Sequence, residues 1–469
     1  MTRSRTIAAT ALAVTSLGGV LTGVTAAATT AVPAGAASLP ACPVAALAKA
    51  KGPVDISFWE SMNRTNGVTL TKLTDQFNSS QSKVHVTLVD QNSYTTTWAK
   101  YQAGLSNGQL PAVAQLQDIQ LQGAIDTQSI LPVQSCIKAT HYKTSDFIPR
   151  ALAYWKADGA QQAMPFAVSN PIVFYNKQAF TAAGLTPTKP PATLSQFMTD
   201  AAALKAHGSG VGLKLDPWHL ETWLATANSL FVNNANGRKA RATKAVFAGK
   251  NALKIFTDLD TLVTSGEAAT NPYTGPDEFD NLLGIGSGKY AMTIDTSAAL
   301  GTIATLLGNG QYPNVTLGVG TFPVLTTKIK GGVEPGGSGL YISNKVPAAQ
   351  QAAAWQYITF LDSPASQATW AAGTGYIPIR KSSTKTPTVQ KLWATQPGFK
   401  VAYQQLVNGA TTPATAGAAI GPFTTVRKAV LTAEESMYQQ GVKPAAALKT
   451  AQKQIDSILA SYNQRLGVT

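Results

Sequence analysis

Short apolar runs alternate along this chain with stretches of helical spacing. Val54-Asp55-Ile56-Ser57-Phe58-Trp59 reads as a strand over 54–59. Leu70, Leu73 and Phe77 then recur at the spacing of one helix face, which predicts a helix over 67–77. A second strand is expected at 84–89, a helix at 94–105 and a third strand at 112–116. Farther on, strands are expected at 171–175, 211–215, 290–294 and 315–319, and an amphipathic helix at 252–263. Thr193 reads as an N-cap, followed by one apolar face of Leu194, Phe197, Ala201 and Leu204. From Ala348 onward the pattern is mostly helical, including 424–440, with Gly and Pro interruptions. Strands separated by helices argue for an α/β fold built on parallel sheets. Ligands of such sheets bind outside the carboxyl ends of the strands, so 90–94 and 117–120 are natural contact segments.

At 469 residues the chain exceeds one ordinary domain of roughly 150 residues. Its 44% hydrophobic and 13% charged content excludes a disordered chain. The formal charge of +14 favours anionic partners without choosing among them. Basic residues are interspersed rather than clustered with aromatics, which argues against nucleic acid. Arg3 and Arg5, the uncharged apolar stretch 7–24 and small residues up to Ala37 form the pattern of a secretory signal peptide over 1–37. The rival is a transmembrane anchor, which the Gly and Thr interruptions oppose. The chain is therefore expected to be exported, to the periplasm or the cell surface.

Export places Cys42 and Cys136, the two cysteines of the chain, in an oxidising compartment, where a disulfide is expected. Leu39-Pro40-Ala41-Cys42 also faintly matches a lipidation box, so a lipid anchor is the rival use of Cys42. Two cysteines and four scattered histidines exclude a multi-cysteine metal cluster and an HExxH site. Gly284-Ile285-Gly286-Ser287-Gly288-Lys289 suggests a phosphate loop, but Leu283 and Tyr290 stand where the motif needs Gly and Ser or Thr. No G-x-S-x-G elbow occurs, and no spacing pairs the carboxylates. No catalytic residue, metal or cofactor is expected.

Several segments, in one order, resemble the extracellular solute-binding proteins of ABC importers, the maltose-binding-protein-like family. They are Phe58-Trp59-Glu60-Ser61-Met62, Met164-Pro165-Phe166-Ala167-Val168-Ser169-Asn170-Pro171, Phe174-Tyr175-Asn176-Lys177, Ala182-Ala183-Gly184-Leu185, Ala291-Met292-Thr293 and Gly373-Thr374-Gly375-Tyr376-Ile377-Pro378-Ile379. Within that family the sequence is most similar to members that bind glycerol 3-phosphate and its diesters. The resemblance spans about 53–462. It implies a two-lobed α/β fold with the ligand in the cleft between lobes, crossings near 161–165, 292–296 and 343–348, and closure by a hinge motion. It places 42–162 plus 295–345 in an N-terminal lobe and 165–291 plus 348–469 in a C-terminal lobe. It further implies a monomer that delivers a small phosphorylated solute to a membrane permease. A sugar or oligosaccharide is the alternative solute.

Carried over position by position, the resemblance assigns ligand contacts to Tyr94, Asp118, Ser169, Trp218, Thr296, Gly337, Tyr376 and Arg427. A guanidinium at Arg427 offers a fork of donors suited to phosphate oxygens. Ser169, Thr296, the Gly337 N–H and both tyrosines add neutral donors, and Asp118 accepts from glycerol hydroxyls. Trp218 forms an apolar wall. Relatives that bind glycerol 3-phosphate carry a second Trp a few residues earlier, where this chain has Leu215 in ungapped register. A smaller wall there implies room for a diester such as glycerophosphocholine, with Trp218 facing the ammonium. Trp223 is the other candidate for the packing Trp.

Overall fold

In the computed structural model of the chain, residues 39–272 and 279–468 are described. The expected signal peptide lies outside them. The strands in chain order are β1 (Val54–Glu60), β2 (Val84–Asp90), β3 (Val113–Gln117), β4 (Ile130–Leu131), β5 (Lys156–Ala157), β6 (Ala160–Gln161), β7 (Met164–Ser169), β8 (Pro171–Asn176), β9 (Val211–Lys214), β10 (Ala268–Asn271), β11 (Met292–Thr296), β12 (Leu317–Thr321) and β13 (Gly336–Ser343). One sheet has the order β2-β1-β3-β13-β4, with β7 also paired to β13. A second has the order β10-β9-β11-β8-β12. Strands β1, β2 and β3 run parallel, as do β9, β10 and β11. The remaining pairs in both sheets are antiparallel, so the sheets are mixed rather than all-parallel.

The apolar pattern explains the elements. Every residue of β7 and β8 is buried, matching their continuous runs MPFAVS and PIVFYN, whereas β1 alternates and buries Val54, Ile56 and Phe58. The helix Arg64–Ser80 buries the expected Leu70, Leu73 and Phe77. The Thr193 hydroxyl caps the helix Leu194–Ala206 by accepting from the Gln196 N–H, and Leu194, Phe197, Ala201 and Leu204 are all buried. The glycines of the suspected phosphate loop are absorbed into the helix Asp280–Gly286 and the turn after it.

The sheets divide the chain differently from the expected lobes. Strand β12 lies within 295–345 but pairs with β8 in the second sheet. The helices Ala348–Leu361 and Pro364–Gly373, expected in the C-terminal lobe, instead pack on β1, β13 and the helix Arg64–Ser80. The reason is that Ala353, Tyr357, Ile358 and Trp370 complete the core that begins with Phe58 and Leu70. Hydropathy marks a helix face as buried without saying which sheet buries it.

Cys42 and Cys136 are joined by a disulfide with Cα atoms 4.9 Å apart. It ties the segment ahead of β1 to the helix Val133–Ala139, and it occupies the sulfur that lipidation would need. Among the described residues, no helix is long and apolar enough to cross a membrane.

Candidate functional site

Strand ends of both sheets converge on one cavity, partly open to solvent. Ser169 ends β7, Lys214 ends β9 and Thr296 ends β11, while Asp118 follows β3 directly. Gly337 enters from the antiparallel β13, one residue beyond the Gly336–Ser169 register pair. Tyr94 begins the helix after β2. Trp218 and Arg427 come from the helices Pro217–Thr226 and Phe423–Gln440, and Tyr376 from the loop after the helix Pro364–Gly373. The eight residues named from sequence thus line a single cavity. The antiparallel pairing of β13 with β7 makes this possible, because it brings the start of one strand to the end of the other.

The tyrosines are held before any ligand arrives. The Tyr94 hydroxyl donates to Ser338 Oγ at 3.2 Å and lies 3.2 Å from the Tyr376 hydroxyl. Gln115 Nε2 donates to the same Ser338 Oγ at 2.7 Å. The Tyr376 ring stacks on Trp370 at 5.4 Å, and Trp370 on Phe166 at 4.7 Å. Gly337 has φ +106°, and a Cβ there would stand 1.8 Å from the Ala167 carbonyl oxygen. Trp218 packs so closely on Gly336 that a Cβ on that glycine would be 2.5 Å from the indole. Its buried Nε1–H has no acceptor among the described residues.

The electrostatics differ from the expectation of a free guanidinium fork. Arg427 Nε and Nη2 donate to the two carboxylate oxygens of Glu221 at 2.9 and 2.7 Å. Burial opposes the charged guanidinium, but Glu221, with Asp118 and Asp216, holds it protonated well above the usual arginine range. A second cation at the cavity, Lys214, lies 3.2 Å from Asp295, and both side chains are 3% exposed. Asp118 is pushed up to about 7, chiefly by burial, against the opposing charge of Arg427. Among the described residues, no group of His, Cys, Asp and Glu is placed to hold a metal ion.

Leu215 does not line the cavity. Lys214, the last residue of β9, and Asp216, the N-cap of the next helix, line it, whereas Leu215 lines only a separate small cavity beside His219 and Tyr438. The room expected from a missing Trp therefore does not arise at that position. Trp223 is a core residue, 1% exposed, with its Nε1 donating to the Pro323 carbonyl at 2.9 Å. Glu221, Lys214, Asp295 and Phe279 were not anticipated from sequence. Glu221 is the one carboxylate in PWHLETWLAT, a segment with two Trp and two Leu, and a glutamate in such a stretch is the signal that a buried cationic partner is required.

Residues 72–397 match the family described as bacterial extracellular solute-binding protein. The sn-glycerol-3-phosphate-binding periplasmic protein UgpB of Yersinia pestis is 26% identical over 430 residues, covering 89% of this chain and 95% of the relative. Among solved structures, UgpB from Mycobacterium tuberculosis in complex with glycerophosphocholine aligns with TM-score 0.72 at 20% identity, covering 88% of this chain and all of that one. The acarbose-binding GacH receptor of Streptomyces glaucescens aligns with TM-score 0.71 at 18% identity, over 87% of this chain and 99% of its own. At these identities the structural matches establish the shared two-lobed, maltose-binding-protein-like fold. The chain belongs to the bacterial extracellular solute-binding proteins, which capture solutes for ABC importers and are not enzymes.

Proposed function

We propose that this protein captures sn-glycerol 3-phosphate or a glycerophosphodiester such as glycerophosphocholine and delivers it to an importer permease. The carrying observation is that Arg427 lines the same cavity as the hydroxyls of Ser169, Thr296, Tyr94 and Tyr376. That set suits one phosphate and a polyol. The UgpB relative supports the ligand class, being named for sn-glycerol 3-phosphate. The pairing of both cavity cations with buried carboxylates favours a phosphodiester, which carries one charge, over a dianion. Trp218 and Phe279 supply aromatic faces, and Asp216 negative charge, for a cationic headgroup. The eight contacts are those named above.

Calorimetric titration with glycerol 3-phosphate, glycerophosphocholine and maltose tests this reading. Binding of either phosphate compound, lost in Arg427→Ala, is the expected outcome. Maltose binding with no response to both phosphates would refute it and favour the sugar alternative.

A further inference from the structure

Two of the three Arg427 nitrogens are committed to Glu221, a residue that does not itself line the cavity. Among the described residues, Glu221 is the one hydrogen-bond acceptor of this guanidinium, which leaves the Nη1 N–H groups and the second Nη2 N–H for a ligand. The two side chains come from different helices, Pro217–Thr226 and Phe423–Gln440, and the Phe423 ring backs the guanidinium at 5.1 Å. A planar, bidentate pair fixed on two helices sets both the position and the tilt of the arginine. Further charges crowd this seam from every side. Asp118 faces Glu221 from the turn after β3 and Glu334 from the segment before β13. Asp216 faces it from the start of its own helix and Glu434 from farther along the helix of Arg427. Arg238 is the other guanidinium near Glu334. Its ion pair with Glu221 means that Arg427 meets a ligand with its charge already balanced.

We propose that Glu221 is the positioning residue of the site: it holds Arg427 by Nε and Nη2 so that a ligand phosphate meets only the outer edge of the guanidinium, Nη1 and the second Nη2 N–H, and its carboxylate penalises each further negative charge on the ligand. The proposal rests on the phosphate reading above. Two variants separate its parts. Glu221→Gln keeps the shape and removes the charge, whereas Glu221→Asp keeps the charge and shortens the reach. Both are titrated at pH 8 with glycerophosphocholine and with glycerol 3-phosphate, whose phosphate is then a dianion. In Glu221→Gln the affinity ratio is expected to shift toward glycerol 3-phosphate by about tenfold, the scale of one poorly screened charge. In Glu221→Asp both affinities should fall together with the ratio unchanged.

The side-chain ¹⁵Nε–H signal of Arg427 gives a reading without ligand. It should be protected from solvent exchange in the parent protein and lose protection in Glu221→Gln. A folded Glu221→Gln variant with an unchanged ratio and a protected Nε–H would overturn the proposal. If neither phosphate compound binds the parent protein, the functional reading fails. A protected Nε–H would then still support Glu221 as the residue that holds Arg427, and an unprotected one would overturn that as well.

Discussion

Gly337→Ala tests whether the cavity depends on the close pairing of β13 with β7. The backbone at Gly337 has φ +106°, where a side chain strains the chain by about 1–3 kcal/mol. The added methyl would also stand 1.8 Å from the Ala167 carbonyl oxygen and 2.9 Å from its carbon. Those atoms belong to the paired strand β7 and cannot rotate away, so the strands must separate, at a cost of about 1–3 kcal/mol. The sum, about 2–6 kcal/mol, is read from urea denaturation of the variant and the parent. Two other glycines separate the contributions. Gly441→Ala has φ +66° and nothing within 4 Å of the new Cβ, so it should show the conformational part alone, about 1 kcal/mol. Gly336→Ala meets the Trp218 indole at 2.5 Å and should weaken ligand binding more than it lowers stability, because a ring can shift where a strand cannot. If Gly337→Ala costs no more than Gly441→Ala and binds ligand like the parent, the close strand pairing is not a constraint and the reasoning fails.

Arg427→Ala should abolish binding of phosphate compounds and also destabilise the ligand-free protein by about 3–5 kcal/mol at pH 8, because it strands a buried carboxylate. Glu221, already raised by burial and no longer opposed by Arg427, then titrates farther above its unfolded value of about 4.3. That cost should shrink as pH falls toward 4, and Glu221→Gln in the same chain should restore most of the loss; urea melts at both pH values check this. Asp118, raised to about 7, binds its proton more tightly in the folded than in the unfolded state, where its value is about 3.9. Its contribution is therefore fully present below about pH 4 and lost as pH rises toward 7, and Asp118→Asn should flatten that part of the stability profile. Replacing both Cys42 and Cys136 by Ser opens a loop of sequence separation 94 and should cost about 2–5 kcal/mol, read by thermal unfolding under non-reducing conditions.

Much of the local structure was legible in the sequence. Strand and helix identities at 54–59, 67–77, 84–89 and 171–175 follow from the apolar period alone, with boundaries moving by a few residues. The period reports what each residue must bury, and Leu70, Leu73 and Phe77 leave little choice. The eight cavity residues were reached through resemblance, since a lone Asp118 or Ser169 carries no signal of its own. The pairing Glu221–Arg427 was not reached, because its members stand 206 positions apart on separate helices and neither sequence neighbourhood names the other. The sequence alone determined many of the strands and helices, though not β7, β10 or β13, and which residue types are available for a phosphate. The tertiary structure alone decided that β12 joins the second sheet, that Lys214 rather than Leu215 faces the cavity, and that Arg427 arrives already paired. Those outcomes depend on which surfaces meet, and burial pattern along one chain is the same whichever partner supplies the burial.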